Sequence, residues 1–205
     1  LYGIQIQDPA SPLYAAQTLL SFLDNCTVSG AFWMVAEGGK MPSALYVRNP
    51  ASGDESAERD RYLLEIGPSV IARRYGIAVD SDWALTASLP AEDSPASAYY
   101  YMPIRAAQAQ PGAEMERYGY WSSPPDILGR RQQGVCYTLP VLDANGSPHG
   151  VLGVEISLDL LYRHYLSSAS APFPNSFYAV APYADGRLDL SWFVSGNPQA
   201  QELLA

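Results

Sequence analysis

Residues able to hold a small molecule gather in three places along the chain. Arg117-Tyr118-Gly119-Tyr120-Trp121 carries three aromatic residues in five, Tyr101 and Arg105 precede it, and Tyr137 and Glu155 follow in two apolar segments. A guanidinium can grip a carboxylate with two parallel hydrogen bonds, aromatic faces can enclose apolar or cationic groups, and a carboxylate at a strand end can accept from an ammonium. These types predict one concave site lined by Tyr101, Tyr120, Trp121 and Tyr137, with Arg105 or Arg117 as the anion contact. The competing reading packs Tyr118, Tyr120 and Trp121 on a sheet, leaves Arg117 in solvent and makes Glu155 a cap for the following helix.

Catalytic patterns are weaker. His149 and His164 are the only histidines, and neither stands in a metal-ligand spacing or a nucleophile elbow. Asp80 with Asp82, and Asp54 with Glu55, read as loop caps or solvated charge; a small hydrolase using such a carboxylate pair is the catalytic alternative. With no glycine-rich phosphate loop either, the chain is expected to be non-catalytic and to need no cofactor or metal.

The elements that must position these groups follow from periodicity. Pro12 starts a helix with Ser11 as cap, and Leu13, Ala16, Leu19, Leu20 and Leu23 give it an apolar stripe to about Asn25. Strands are expected over 31–36 and 43–48 around a Gly38-Gly39 turn, and a helical segment over 58–75 that Gly67-Pro68 splits in two. A short strand over 83–87 and a tyrosine-rich strand over 98–104 come next. Residues 134–142 and 150–157 then form a hairpin around Asp143-Ala144-Asn145-Gly146, and 159–166 a helix. Beyond the linker 167–174, Asp185-Gly186 marks a second hairpin.

Composition narrows the class. The chain has 205 residues, 48% of them hydrophobic, so a substantial core is expected. Its net charge of −9, with only 12 lysines and arginines, argues against nucleic acid and against an anionic membrane surface. Cys26 and Cys136 are either a disulfide or a pair of buried thiols. No run is apolar enough to span a bilayer, so any membrane anchor is expected outside this segment.

Tyr137, Pro140, Val141, Asp143, Gly146, Gly150, Val151, Gly153, Val154, Glu155, Ile156 and Ser157 together resemble the terminal strand pair of double Cache sensor domains. Residues 30–32 and 43–48 resemble their opening strands, and residues 77–83 with 118–122 resemble the subgroup found at the N-termini of bacterial membrane diguanylate cyclases. The match covers most of residues 11–166. It implies an α+β, PAS-like lobe: an antiparallel sheet built from strands near Ala31, Ser43, Tyr99, Val135 and Val151, a long N-terminal helix, and further helices flanking the sheet.

The resemblance also implies a function. Such domains sense small molecules on the extracytoplasmic side of bacterial transmembrane receptors, and residues 11–166 would be the membrane-distal lobe, with 173–205 beginning a truncated membrane-proximal one. By position Arg117 takes the carboxylate-binding place, Tyr120 and Trp121 the aromatic pair in inverted order, Tyr137 the later tyrosine and Glu155 the acid. The arginine lies one residue too far from the aromatic pair, and Pro124 stands where that pattern has alanine. An amino acid, an organic acid or an amine is the implied ligand, and a homodimer of the full-length receptor the implied assembly. A carbohydrate-binding or adhesion module is the alternative of another class, because exposed Tyr and Trp on an acidic surface also suit sugar stacking.

Overall fold

The computed structural model describes residues 12–35, 43–50, 62–89, 94–122, 134–167, 176–190 and 193–197, with 92, 173, 199, 200 and 202 besides. The Ser11 cap, the Gly38-Gly39 turn, the Asp54/Glu55 pair, the start of the 58–75 segment, Pro124 and most of the 167–174 linker lie outside the described residues. The chain forms two compact units, Leu1–Ile156 and Ser157–Ala205.

The first unit is built on a seven-stranded sheet. Helix α1 (Pro12–Asn25) leads into β1 (Gly30–Val35) and β2 (Ser43–Arg48); β3 (Leu63–Ile66), α2 (Ser69–Tyr75) and β4 (Ala78–Ala84) follow. Helix α3 (Ala98–Ala109), the two-residue β5 (Tyr120–Trp121) and the hairpin β6 (Gly134–Leu142) and β7 (Pro148–Ser157) complete it. The order is β4-β3-β2-β1-β7-β6-β5, which sets the first and last strands side by side at the centre. Strand β1 runs antiparallel to β2 and β7, β2 to β3, and β5 to β6, whereas β3 and β4 are parallel. This is the expected α+β architecture.

Helix α1 covers one face of the sheet and α3 the other. Ala15, Ala16, Leu19 and Leu23 of α1 are buried, at the three- and four-residue spacing that keeps one helix stripe inward, and α1 lies along β1 and β2. On the other face Phe32 and Met34 of β1, Tyr46 of β2 and Val151 of β7 meet Tyr99 and Tyr100 of α3. Phe32 lies edge-on between Tyr46 and Tyr99, with ring centroids 6.2 and 5.9 Å away. Strand alternation accounts for the division, since successive β1 side chains point to opposite faces and all six are buried.

Four expectations need correction. Residues 98–109 are a helix rather than a tyrosine-rich strand, so Tyr99 contributes no strand to the sheet. Ser94 starts it: the Ser94 hydroxyl accepts from the Ala96 amide, and Pro95 opens a 3₁₀ turn that runs into α3. Tyr99, Tyr100, Pro103 and Ala107 then turn inward at helical spacing, and this packing outweighs the strand preference of three consecutive tyrosines. Residues 63–66 form a strand rather than a helix, because β2 supplies a partner for Leu63, Leu64 and Ile66; the fourth strand covers 78–84 rather than 83–87. Neither cysteine is bonded, and Cys26 is exposed where a buried thiol was expected.

The second unit begins with α4 (Leu158–Leu160), capped by the Ser157 hydroxyl, and continues as one π-type turn over Leu161–Tyr165, closed by the Leu166 amide on the Leu161 carbonyl at 2.9 Å. Here Ser157, not Glu155, is the cap. A small hairpin pairs β9 (Tyr183–Ala184) with β10 (Arg187–Leu188) after β8 (Ala179–Val180), which pairs in turn with β11 (Val194–Ser195). Asp185 and Gly186 both have positive φ, 52° and 77°, which is the turn geometry their residue types forecast.

Candidate functional site

The α3 face of the sheet holds one group out of keeping with its surroundings. Glu155 projects from the apolar run of β7 and is 1% exposed. In register it faces Gly30 of β1, which in turn faces Arg48 of β2, so the three form one row across the sheet. The carboxylate needs that glycine: a Cβ on Gly30 would lie 2.8 Å from Cε2 of Tyr46 and 3.2 Å from Oε2 of Glu155. On its other side a Cβ on Gly134 would lie 3.3 Å from Oε1 of Glu155 and 2.7 Å from the Ile156 carbonyl. The acid is thus seated between two positions that must lack a side chain.

Its electrostatics follow from this seat. The Tyr46 hydroxyl donates to Oε2 of Glu155, and the Ser29 hydroxyl and amide both donate to its backbone carbonyl, at 3.0 and 2.8 Å. Burial disfavours the charged form and pushes the carboxyl from an ordinary 4.5 up to about 7. Among the described residues no cationic side chain pairs with it. Arg48 is engaged elsewhere: its Nε lies 2.7 Å from Oε1 of Glu65, an ion pair by distance though not aligned as a hydrogen bond, and its Nη2 lies 3.8 Å from Asp80. Glu65 is the residue inserted by the irregularity between β2 and β3, which brings it to Arg48.

The aromatic residues singled out in the sequence divide between the two faces. Tyr120 and Trp121 are consecutive on β5 and oppose Thr138 and Tyr137 of β6, so alternation sends Tyr120 to the face of α3 and Trp121 to the other. Tyr101 joins the α3 side, with its ring 5.0 Å from that of Tyr100. Trp121, 57% exposed, leans on Tyr137 at 4.9 Å and an interplanar angle of 42°. Partial desolvation, aided by the charge of Glu116, raises the Tyr137 hydroxyl, and the Tyr137 ring lies over Gly119, where no side chain would fit.

The remaining candidates have local roles. Tyr118 is buried; its hydroxyl donates to the Gln110 carbonyl at 2.6 Å and accepts from the Ala113 amide at 2.8 Å, closing the turn after α3. Arg105 is held on the surface by Glu92 at 2.9 Å, and Arg117 is exposed on a 3₁₀ turn. The structure therefore brings Tyr101, Tyr120 and Glu155 to one face, sets Trp121 and Tyr137 on the other, and leaves both arginines in solvent. Tyr46 and the two flanking glycines escaped sequence reasoning. The available signal was a single carboxylate in an otherwise apolar strand, which had to be buried on one face and find a donor there.

Other chemistry is limited. The Cys136 thiol, 2.9 Å from the Ser122 hydroxyl, is pushed up to about 11 by burial, which keeps it protonated and unreactive. His149 pairs with Asp143 at 3.1 Å across the β6–β7 turn. Among the described residues no three His, Cys, Asp or Glu side chains converge as a metal site, and no helix is long and apolar enough to cross a membrane.

No family model and no curated protein matches the sequence. Two solved structures are similar in part: the extracellular domain of a protein assigned as a histidine kinase, soHK1S-Z6 (16% identity, TM-score 0.40), and a methyl-accepting chemotaxis protein X (18%, 0.44). The alignments cover 76% and 78% of this chain but 46% and 51% of the others, so the chain spans about half the length of each. At such scores and identities the likeness carries no functional argument.

Proposed function

We propose that the chain is an extracytoplasmic ligand-sensing domain of a bacterial transmembrane receptor, non-catalytic in itself, that captures a small molecule bearing an ammonium group at Glu155. The observation behind this reading is the buried carboxylate between Gly30 and Gly134, with a tyrosine donor and no cation among the described residues. Charged groups in such surroundings are ordinarily paired, and an ammonium would supply the missing charge and hydrogen bonds. Amines and the ammonium end of an amino acid suit the site; an organic acid offers the Glu155 carboxylate no cation. Capture would shift a conformational equilibrium carried through α1 to membrane segments and an output module, such as a cyclase or kinase, beyond this chain. A homodimer belongs to the same reading.

A thermal-shift screen against amines, amino acids, organic acids and sugars tests it, because a ligand that binds only the folded state raises apparent stability. Amines or amino acids should stabilise the wild type and leave Glu155→Gln unmoved. Stabilisation by organic acids alone would overturn the reading. The exposed Trp121–Tyr137 stack favours a carbohydrate-binding module as a second reading; stabilisation by sugars that vanishes in Trp121→Ala would establish that one instead.

A further inference from the structure

The turn between β6 and β7 sets a reactive pair beside a residue that restrains it. Of the chain's asparagines only Asn145 precedes glycine, and Asn49 and Asn197 precede proline, which has no amide N–H. Residues 144–147 are exposed, and a Cβ on Gly146 would meet nothing within 4 Å, so nothing crowds the approach to its backbone. Asp143 holds the pair from both sides. Its carbonyl accepts from the Gly146 amide at 3.0 Å, its Oδ1 accepts from the Asn145 and Ser147 amides, each at 2.8 Å, and its own amide donates to the Ser147 carbonyl at 2.9 Å. Nε2 of His149 lies 3.1 Å from the other carboxylate oxygen. The His149 contact and the amide donors hold the Asp143 carboxyl below its ordinary range, so it stays ionised as an acceptor.

We propose that Asn145 is a site of spontaneous covalent modification, deamidation by the Gly146 main-chain nitrogen, and that Asp143 sets its rate. The Gly146 nitrogen bonds to Cγ of Asn145 and gives up its proton; the Cγ–Nδ2 bond breaks, and Nδ2 leaves as ammonia with that proton. Water then opens the cyclic imide. Opening at Cγ leaves an ordinary aspartate, and opening at the main-chain carbonyl carbon leaves isoaspartate, with the chain routed through Cγ and one carbon longer. Nothing is oxidised or reduced. Because the Gly146 proton is held by the Asp143 carbonyl, the nitrogen attacks only while the turn is open, so the folded rate is the unfolded rate scaled by the open fraction. The isoaspartate puts a second carboxylate beside Asp143 and lengthens the turn that fixes β7 against β6. The modification is independent of the Glu155 reading.

The test incubates the folded 205-residue chain, and the same chain in guanidinium chloride, at one pH and temperature. The tryptic peptide 132–163, in which Asn145 is the only asparagine, is then read by mass spectrometry with electron-transfer fragmentation, which separates isoaspartate from aspartate. Both products are expected, and the folded chain should react roughly tenfold or more slowly than the unfolded one. Asp143→Ala, which removes both carboxylate acceptors, should speed the folded protein roughly tenfold, the factor held by about one charge-assisted hydrogen bond. Asp143→Asn, which keeps an oxygen for the two amides, should retain part of the protection. In guanidinium, Gly146→Ala should lose most of the product, since the added methyl crowds the nitrogen. Conversion at Asn145 no faster than at Asn25 or Asn175 in guanidinium would overturn the site. Equal rates in folded wild type and folded Asp143→Ala would overturn the role of Asp143. A folded wild type that reacts as fast as the unfolded chain would overturn that role without recourse to any variant.

Discussion

Replacing Glu155 by Gln should reverse a pH-dependent liability in the fold. The carboxyl stands at about 7 in the folded protein against an ordinary 4.5, so the folded state binds the proton more tightly than the unfolded chain does. Stability linked to this group is therefore intact at low pH, declines as pH rises from about 4.5 to about 7, and is flat above that. At roughly 1.4 kcal/mol per tenfold change in proton affinity, the full decline is about 3 kcal/mol. Glutamine keeps the shape and still accepts from the Tyr46 hydroxyl, but never ionises. Urea unfolding of both proteins at pH 4, 5, 6, 7 and 8, followed by tryptophan fluorescence, isolates this group because the other titrations cancel in the difference. The variant should gain on the wild type by about 3 kcal/mol between pH 4 and pH 8. Parallel stability curves would refute the reasoning, as would a variant that loses ground as pH rises, the sign expected had the folded protein already held the carboxylate ionised.

Other substitutions follow from the same neighbourhood. Gly30→Ala and Gly134→Ala should each destabilise by about 1–3 kcal/mol, since the new methyl meets a tyrosine ring in one case and a backbone carbonyl in the other; denaturation midpoints within error of wild type would contradict the packing. Tyr46→Phe removes the donor to the charged form, so the titration of Glu155, read by ¹³C NMR of its carboxyl, should move further up; a downward move would exclude this hydrogen bond. Arg48→Met should cost about 2–3 kcal/mol by taking the guanidinium from buried Glu65, and an unchanged urea midpoint would show that this pair adds nothing.

Much of the fold was legible because local and tertiary signals agreed. The helix from Pro12 ends at Asn25 and the second strand runs from Ser43 to Arg48, as periodicity alone forecast, because each buries the stripe or face that its pattern declares. The β6–β7 hairpin was equally plain from Asp143 and Gly146 between two apolar runs. The failures lie where two periods fit one stretch. Leu63, Leu64 and Ile66 satisfy a helix as well as a strand, and the deciding fact, a free edge on β2, is nowhere local. Three tyrosines in succession favour a strand until Ser94 and Pro95 nucleate a helix ahead of them. Within the site, Glu155 was picked out by residue type, but its company depended on register. A one-residue step separates Tyr120 from Trp121 and sends them to opposite faces, which no inventory of aromatic residues could reveal.

The two margins of the sheet carry a consequence for solubility. One ends in β5, only two residues long; the other ends in β4, where Asp80 and Asp82 stand on the outermost strand. A border that is short or charged gives a foreign strand little to pair with, so growth by edge-to-edge addition is discouraged at both sides. Copies of the protein held close together would meet through helices and side-chain surfaces rather than merge into a continuous sheet, and the α3 face with Glu155 would stay in one register with its own strands.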